Sequence, residues 1–399
     1  MRYIKHLSII IVLQLVSQSA VNAQVEITGV PFLQIEPTSQ GMLTGGAGSA
    51  SPSEHPSSFF YNPAHLGYTG YHENISWSGF FHKMEWLPGF TLDMTYSHWS
   101  AAGGINLADD IGVPLSVGMG YQRVDLDLGS QFQTDPSGNI IGEFNSKEGY
   151  DKYGIGLHLD YPVSVSLGYA RKHIISQMGP YEILTPARAF DAGVMLGYTH
   201  ELKPFDVRVS TSYVIRNVGD EIQYRPDTGP DPLPRKAVWG YELSAGYTMM
   251  REGVPVRFIQ ADWTLEAQDI LVESYGNRQP RYSRWPGDIS FIDNVILAKD
   301  DEQVTVRRGA RIHLMEAVTV GLGSFKGPGW QRGIRTIGYS ISSHGMLNLL
   351  DQMFNRSFIS GINDRINISY NNTRLRPRDS DHPLSGTKYQ DISVQLMWR

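Results

Sequence analysis

The sequence contains no cysteine in 399 residues. That single absence excludes disulfides, thiolate metal sites, a cysteine nucleophile and a lipidated lipoprotein cysteine. No apolar run approaches the ~18 residues that a membrane-crossing helix requires. The HExxH, GxSxG and P-loop motifs are all missing. Positive charge is in short supply: 34 Lys and Arg face 40 Asp and Glu, a formal net charge of −6. This balance argues against a nucleic-acid partner. What the chain has is glycine and rings, with 41 Gly, 21 Tyr and 8 Trp. Together with a mean hydropathy of −0.26, this suits a soluble β protein or a transmembrane barrel, and not a helical membrane protein.

The amino terminus carries Arg2 and Lys5, then the apolar run Ile9 to Leu13, then Val21-Asn22-Ala23. A basic start, a short apolar stretch and small or aliphatic residues before a cut predict a secretory signal peptide over 1–23. Cleavage after Ala23 would remove two cations and no acid, leaving the chain two units more negative than −6. The expectation is an exported protein.

After residue 70 the dominant signal is alternation with a period of two. Tyr153, Ile155, Leu157, Leu159 and Tyr161 occupy one face, and Lys152, Gly154, Gly156, His158 and Asp160 the other. The same pattern recurs through Val163–Tyr169, Phe190–Tyr198, Val207–Ile215, Trp239–Tyr247 and Ile392–Trp398. Aromatics tend to sit at the ends of the apolar face with aliphatics between them, as the two girdles of a membrane barrel require. The opposite face is small and polar, which suits a lumen. A soluble sandwich with shorter strands is the competing reading.

Fourteen strands are predicted, near 74–82, 90–107, 113–124, 149–160, 162–173, 188–200 and 205–218, then 238–250, 254–266, 304–315, 317–325, 331–343, 365–376 and 388–398. Most connections alternate between tight turns and long segments such as 125–148 and 267–303, the parity of a bacterial barrel with both termini on one side. Residues 344–364 break the pattern. Met346, Leu347, Leu349, Leu350, Met353 and Phe354 fall at helical spacing there, so either an amphipathic helix or a misdrawn strand is expected. The predicted fold is an all-β transmembrane antiparallel barrel over 74–399. It is preceded by a Gly-, Ser- and Pro-rich segment, 24–73, that lies in the lumen as a plug or hatch.

Asp191, Arg208, Arg216 and Glu242 fall on lumen faces, because a charge in lipid costs roughly 2–4 kcal/mol for Arg at the midplane. Arginine at Val194 or Leu196 should therefore abolish folding, whereas Asp191→Asn should not. No catalytic, cofactor or metal residue is assigned. His158 shares the lumen face with Ser164 and Ser166, and lumen polarity accounts for them without catalysis. Gly154, Gly156 and Asp160 have no following helix and are read as strand residues. Lys299-Asp300-Asp301-Glu302 reads as a solvated loop, and His72, His82 and His98 lack ligand spacing.

Pro31-Phe32-Leu33-Gln34-Ile35, the Gly-rich stretch Gly41–Ala50 and Phe60-Tyr61-Asn62-Pro63-Ala64-His65-Leu66-Gly67 resemble the PorV/PorQ family of FadL-like outer-membrane barrels. Trp86 and Arg216-Asn217-Val218-Gly219 are similar to family features. The resemblance implies fourteen strands, a hatch in which Asn62, Pro63 and Ala64 form the plug motif, and residence in a Gram-negative outer membrane. It further implies a part in type IX secretion, with the translocon and secreted proteins carrying carboxy-terminal sorting domains as partners. Related FadL-type barrels imply the alternative, a channel for hydrophobic small molecules. A lipid-A acyl hydrolase ranks below both.

Overall fold

The computed structural model describes residues 28–88, 93–179, 186–224, 229–251, 254–273, 280–328, 332–354 and 365–397. The expected signal peptide and the terminal Trp398-Arg399 lie outside the described residues. Fourteen antiparallel strands form the wall: β1 (Asn74–Phe80), β2 (Thr95–Asn106), β3 (Leu115–Thr134), β4 (Ile140–Leu159), β5 (Val163–Gln177), β6 (Ala187–Leu202) and β7 (Phe205–Gly219). They continue as β8 (Lys236–Arg251), β9 (Val254–Ile270), β10 (Val304–Leu314), β11 (Val318–Lys326), β12 (Ile334–Ser342), β13 (Ile366–Pro377) and β14 (Lys388–Met397). Every strand pairs with its sequence neighbours, and β1 pairs with both β2 and β14, Trp77 facing Ala101 on one side and Val394 on the other. The sheet is thus a closed barrel without a free edge.

The period-two pattern sets which face looks where. On β4, Lys152 is wholly buried while its neighbour Tyr153 is 59% exposed. Ile155, Leu157, Leu167 and Leu196 are likewise exposed on the outside, an arrangement stable only against lipid. Rings bracket these aliphatics. Trp99, Tyr121 and Tyr153 pack side by side toward the long-loop end, with centroids 4.8 and 5.0 Å apart. Phe205, Tyr247 and Phe258 do so toward the short-turn end.

Two connections, 125–148 and 267–303, differ in detail from the sequence expectation, and 344–364 takes the helical one of its two expected forms. Much of 125–148 is strand: β3 and β4 run on past their neighbours as a two-stranded ribbon, pairing Ser130 with Asn145 and Phe132 with Glu143. The alternation there mixes Gln, Asn and Thr with isolated apolar residues, so no apolar face marks it. Asp135 closes the ribbon by accepting the N–H groups of Ser137 and Asn139, both at 2.9 Å. The segment 344–364 begins as a helix, α4 (Ser343–Phe354); residues 355–364 lie outside the described residues. The lumen-facing Asn367 tethers its start, accepting from His344 N at 3.3 Å, and the Ser343 hydroxyl accepts Ile368 N at 2.8 Å. The helix is therefore fixed at the short-turn mouth. The segment 267–303 begins as the end of β9 and then folds back over the outer wall. There Val295, in the helical turn Phe291–Ile296, packs on Leu265, Ala267 and Val306.

Residues 28–73 run inside the barrel and carry two short α-helices, α1 (Ser39–Met42) and α2 (His65–Tyr71), and two 3-10 turns, Pro31–Gln34 and Ser58–Phe60; α3 (Ala108–Ile111) is a single turn between β2 and β3. The long-loop half of the lumen is densely filled. Phe32, Leu33, Met42, Phe60 and Tyr61 pack there with wall residues Tyr96, Tyr150 and Tyr389 and with the loop residues Ile222, Leu233 and Leu384. The short-turn half is polar.

Candidate functional site

The seat of the amino-terminal segment is made of glycine. Strand register sets Gly104, Gly118, Gly156, Gly168 and Gly193 side by side across five consecutive strands, β2 to β6. Against this row lie α2 and the residues before it. A Cβ on Gly118 would come within 1.9 Å of Leu66 O, and one on Gly168 within 2.1 Å of the Pro63 carbonyl carbon. Backbone rests directly on backbone, so only a residue without a side chain fits. A second, smaller seat forms where Gly309 and Gly323 pair beneath Thr44 and Gly45.

Asn62, Pro63 and Ala64 meet the first seat. The Asn62 amide donates to Ser49 O at 3.0 Å and to Val194 O in β6 at 3.4 Å. Its carbonyl oxygen accepts Ala64 N at 3.0 Å and sits where a Gly193 side chain would be. One buried side chain thus ties two stretches of the inner segment to the wall.

The lumen charges act as clamps on the same segment. Asp191 is fully buried between Lys152 Nζ at 2.7 Å and Lys172 Nζ at 3.0 Å, and accepts Asn217 N at 2.8 Å. Lys152 also donates to Phe59 O at 2.7 Å. Glu266 accepts Ser49 N at 2.9 Å and lies 3.9 Å from Arg216. Asp391 accepts Ser39 N at 2.8 Å; Arg307 donates to Gly45 O at 3.0 Å and pairs with Glu36 at 3.1 Å. Buried carboxylates take the segment's N–H groups and buried cations take its carbonyls, which ties segment and wall by charge-assisted bonds.

Arg208 pairs with Glu242 at 2.9 Å, and Glu242 also holds Arg311 at 3.1 Å and the Ser51 hydroxyl. Arg311 reaches Asp262 at 2.6 Å, and Asp262 takes His313 at 2.8 Å. Sequence reading missed Asp262, Arg311 and His313. The signal was present, since parity with Gln260 and Thr264 puts Asp262 on the lumen face.

His158 and Ser166 do meet, at 2.8 Å. Both are buried, and the rings of Tyr68 and Tyr71 cover the imidazole at 5.7 and 5.2 Å. No substrate reaches the pair in this arrangement. Lys299, Asp300 and Asp301 are engaged separately, with Asp293, Lys326 and the N–H groups of Gln303 and Val304. His72 pairs with Glu54 at 3.1 Å, and His98 is buried on β2, away from it.

Two cavities adjoin these features. Outside the glycine row, an apolar groove of about 520 Å³ is lined by Ile155, Leu157, Leu167, Tyr169, Val194, Tyr213 and Ile215. Trp285, from the loop that folds over the wall, forms its lip, edge-on to Tyr213 at 5.8 Å. Inside, the short-turn half of the lumen encloses a polar vestibule of about 290 Å³.

No protein-family model matches the chain, and no curated protein matches it either. Among solved structures, it is similar to the Pseudomonas putida toluene transporter TodX, with 9% identity and a TM-score of 0.43 over 91% of this chain and 97% of that one. A Pseudomonas aeruginosa FadL homologue gives 10% and 0.40 over 91% and 98%. The monoaromatic hydrocarbon channel CymD gives 10% and 0.39 over 91% and 96%. These likenesses carry no inference about what this chain binds.

Proposed function

We propose that the protein is a plugged outer-membrane barrel that passes small hydrophobic molecules, in the manner of FadL-like channels. The observation that carries this reading is the apolar groove on the outer wall. It lies where that wall is thinnest, a floor of Gly156, Gly168 and Gly193 with Asn62 and Pro63 directly behind it. Its lining is almost wholly aliphatic and aromatic, which suits a ligand with no polar group to satisfy. A hydrocarbon or an acyl chain has that chemistry. The test is saturable binding of toluene and of a long-chain fatty acid to the barrel in lipid nanodiscs. Filling the groove with Val194→Trp should weaken binding about tenfold. Equal binding by the variant would remove the groove from the mechanism.

A second reading is an escort role in type IX secretion of the PorV/PorQ kind. The filled long-loop half of the lumen favours it, since an interaction partner needs no open path. Tagged protein recovered from solubilised outer membrane with a very large barrel, or with cargo bearing sorting domains, would place this reading first. A lone barrel carrying lipid would leave the channel in front.

A further inference from the structure

We propose that the polar vestibule in the short-turn half of the lumen is a binding site for a small organic carboxylate. The site is independent of the outer groove. Its walls come from the inner segment, from β7, β9 and β10 on one side, and from β1, β13 and β14 on the other.

The charge on the first wall is layered. Glu242 and Asp262 are fully withdrawn, with side chains 0% exposed, and neither lines the cavity. In front of them stand Arg208, Arg311 and His313, whose side chains are 23, 12 and 27% exposed and do line it. The withdrawn acids are saturated. Glu242 holds both guanidiniums and the Ser51 hydroxyl, and Asp262 holds Arg311, His313 and, at 2.8 Å, the Gln260 amide. Arg208 engages Glu242 through Nη2, and Arg311 engages the two acids through Nη2 and Nε, which leaves the other terminal guanidinium nitrogen of each on the cavity side. A molecule entering the vestibule therefore meets cations whose positions are fixed from behind and which still have a donor to give. The facing wall is neutral, and its Ser369 and Ser393 hydroxyls bond each other at 2.6 Å; the inner segment adds one acid to the lining, Glu54, whose carboxylate is taken up by His72 at 3.1 Å and by the Asn74 and Gln395 amides.

Fixed guanidiniums recognise planar, two-oxygen acceptors best, because two parallel N–H groups match two carboxylate oxygens. Hydroxyls opposite suit the polar remainder of a small acid. A volume of about 290 Å³ admits one such molecule with its waters and excludes a polymer.

The experiment is titration calorimetry on the full barrel in nanodiscs, with succinate, inorganic phosphate and ethylene glycol as probes. Saturable succinate binding is expected, with no signal from ethylene glycol. Arg208→Gln should weaken succinate binding tenfold or more, while Glu242 keeps Arg311 and Ser51 as partners. Ser369→Phe fills the cavity from the neutral wall without touching a charge, and should abolish binding in a barrel that still shows its folded mobility. Succinate binding unchanged in both variants, or no saturable signal in the wild type, overturns the proposal. Phosphate binding more tightly than succinate overturns the assignment to a carboxylate.

Discussion

A methyl group is the smallest addition a residue can make, and at Gly168 the wall has no space for one. Gly168→Ala presses its Cβ on the Pro63 backbone, which has no rotamer through which to yield. The expected cost is about 3 kcal/mol, read as a lowered urea midpoint. Gly142→Ala meets only the flexible Gln133 amide at 3.2 Å and should leave the midpoint in place. Alternation alone placed Asp191 on the lumen face, and Asp191→Asn was expected to be tolerated. The structure reverses that expectation: the amide would strand two buried lysines, Lys152 and Lys172. A loss of about 3–5 kcal/mol is expected, and an unchanged unfolding midpoint would refute the clamp. The partners were illegible in the sequence because they belong to three different strands, β4, β5 and β6. His65 gives a pH dependence. Burial holds its pKa near 4, below the usual 6.5, so protonation favours the undocked state. Its share of stability is complete above about pH 6.5 and declines as pH falls toward 4, by about 2 kcal/mol at pH 5. The protection factors of the α2 amides, exchange corrected for the intrinsic rate at each pH, should fall between pH 7 and 5, and the difference should vanish in His65→Gln.

At the scale of elements, the sequence was most legible where lipid and lumen impose opposite demands on adjacent residues. Strand β4 shows why: Lys152, Gly154 and Gly156 against Tyr153, Ile155 and Leu157 admit one orientation only. Where those demands cease, legibility ceases too. The outer ribbon of β3 and β4 has water on both faces, so its pairing left no apolar stripe to read. Beyond Asp127 and Lys147 the ribbon has no neighbouring strand, and Phe132 and Ile140 are each 64% exposed. It therefore adds little to the barrel. Replacing Ser130–Asn145 with an Asn-Gly turn, which suits a two-residue hairpin, should leave the heat-modifiable folded band intact. Loss of that band would mean the ribbon nucleates the wall. Helix α4 was visible from the spacing of its leucines and methionines, but its tether was not, since Asn367 follows the helix in sequence and lies on the next strand.

For the molecule as a whole, the lumen is unequally filled. Aromatic and aliphatic packing interleaved with fully buried ion pairs closes the long-loop half, a second charge network lines the polar vestibule of the short-turn half, and one irregular segment threads both. The glycine seats leave no clearance between that segment and the wall. A closed cylinder could not admit it afterwards, because each residue from Asn62 to Gly70 would have to slide past strand backbone at contact distance. The strands must instead be laid around the segment while the sheet is still open, with β1 joining β14 last. Biogenesis then resembles casting a sleeve on a mandrel: a chain lacking residues 28–73 should fail to reach the folded band, and the same peptide added after closure should not restore it.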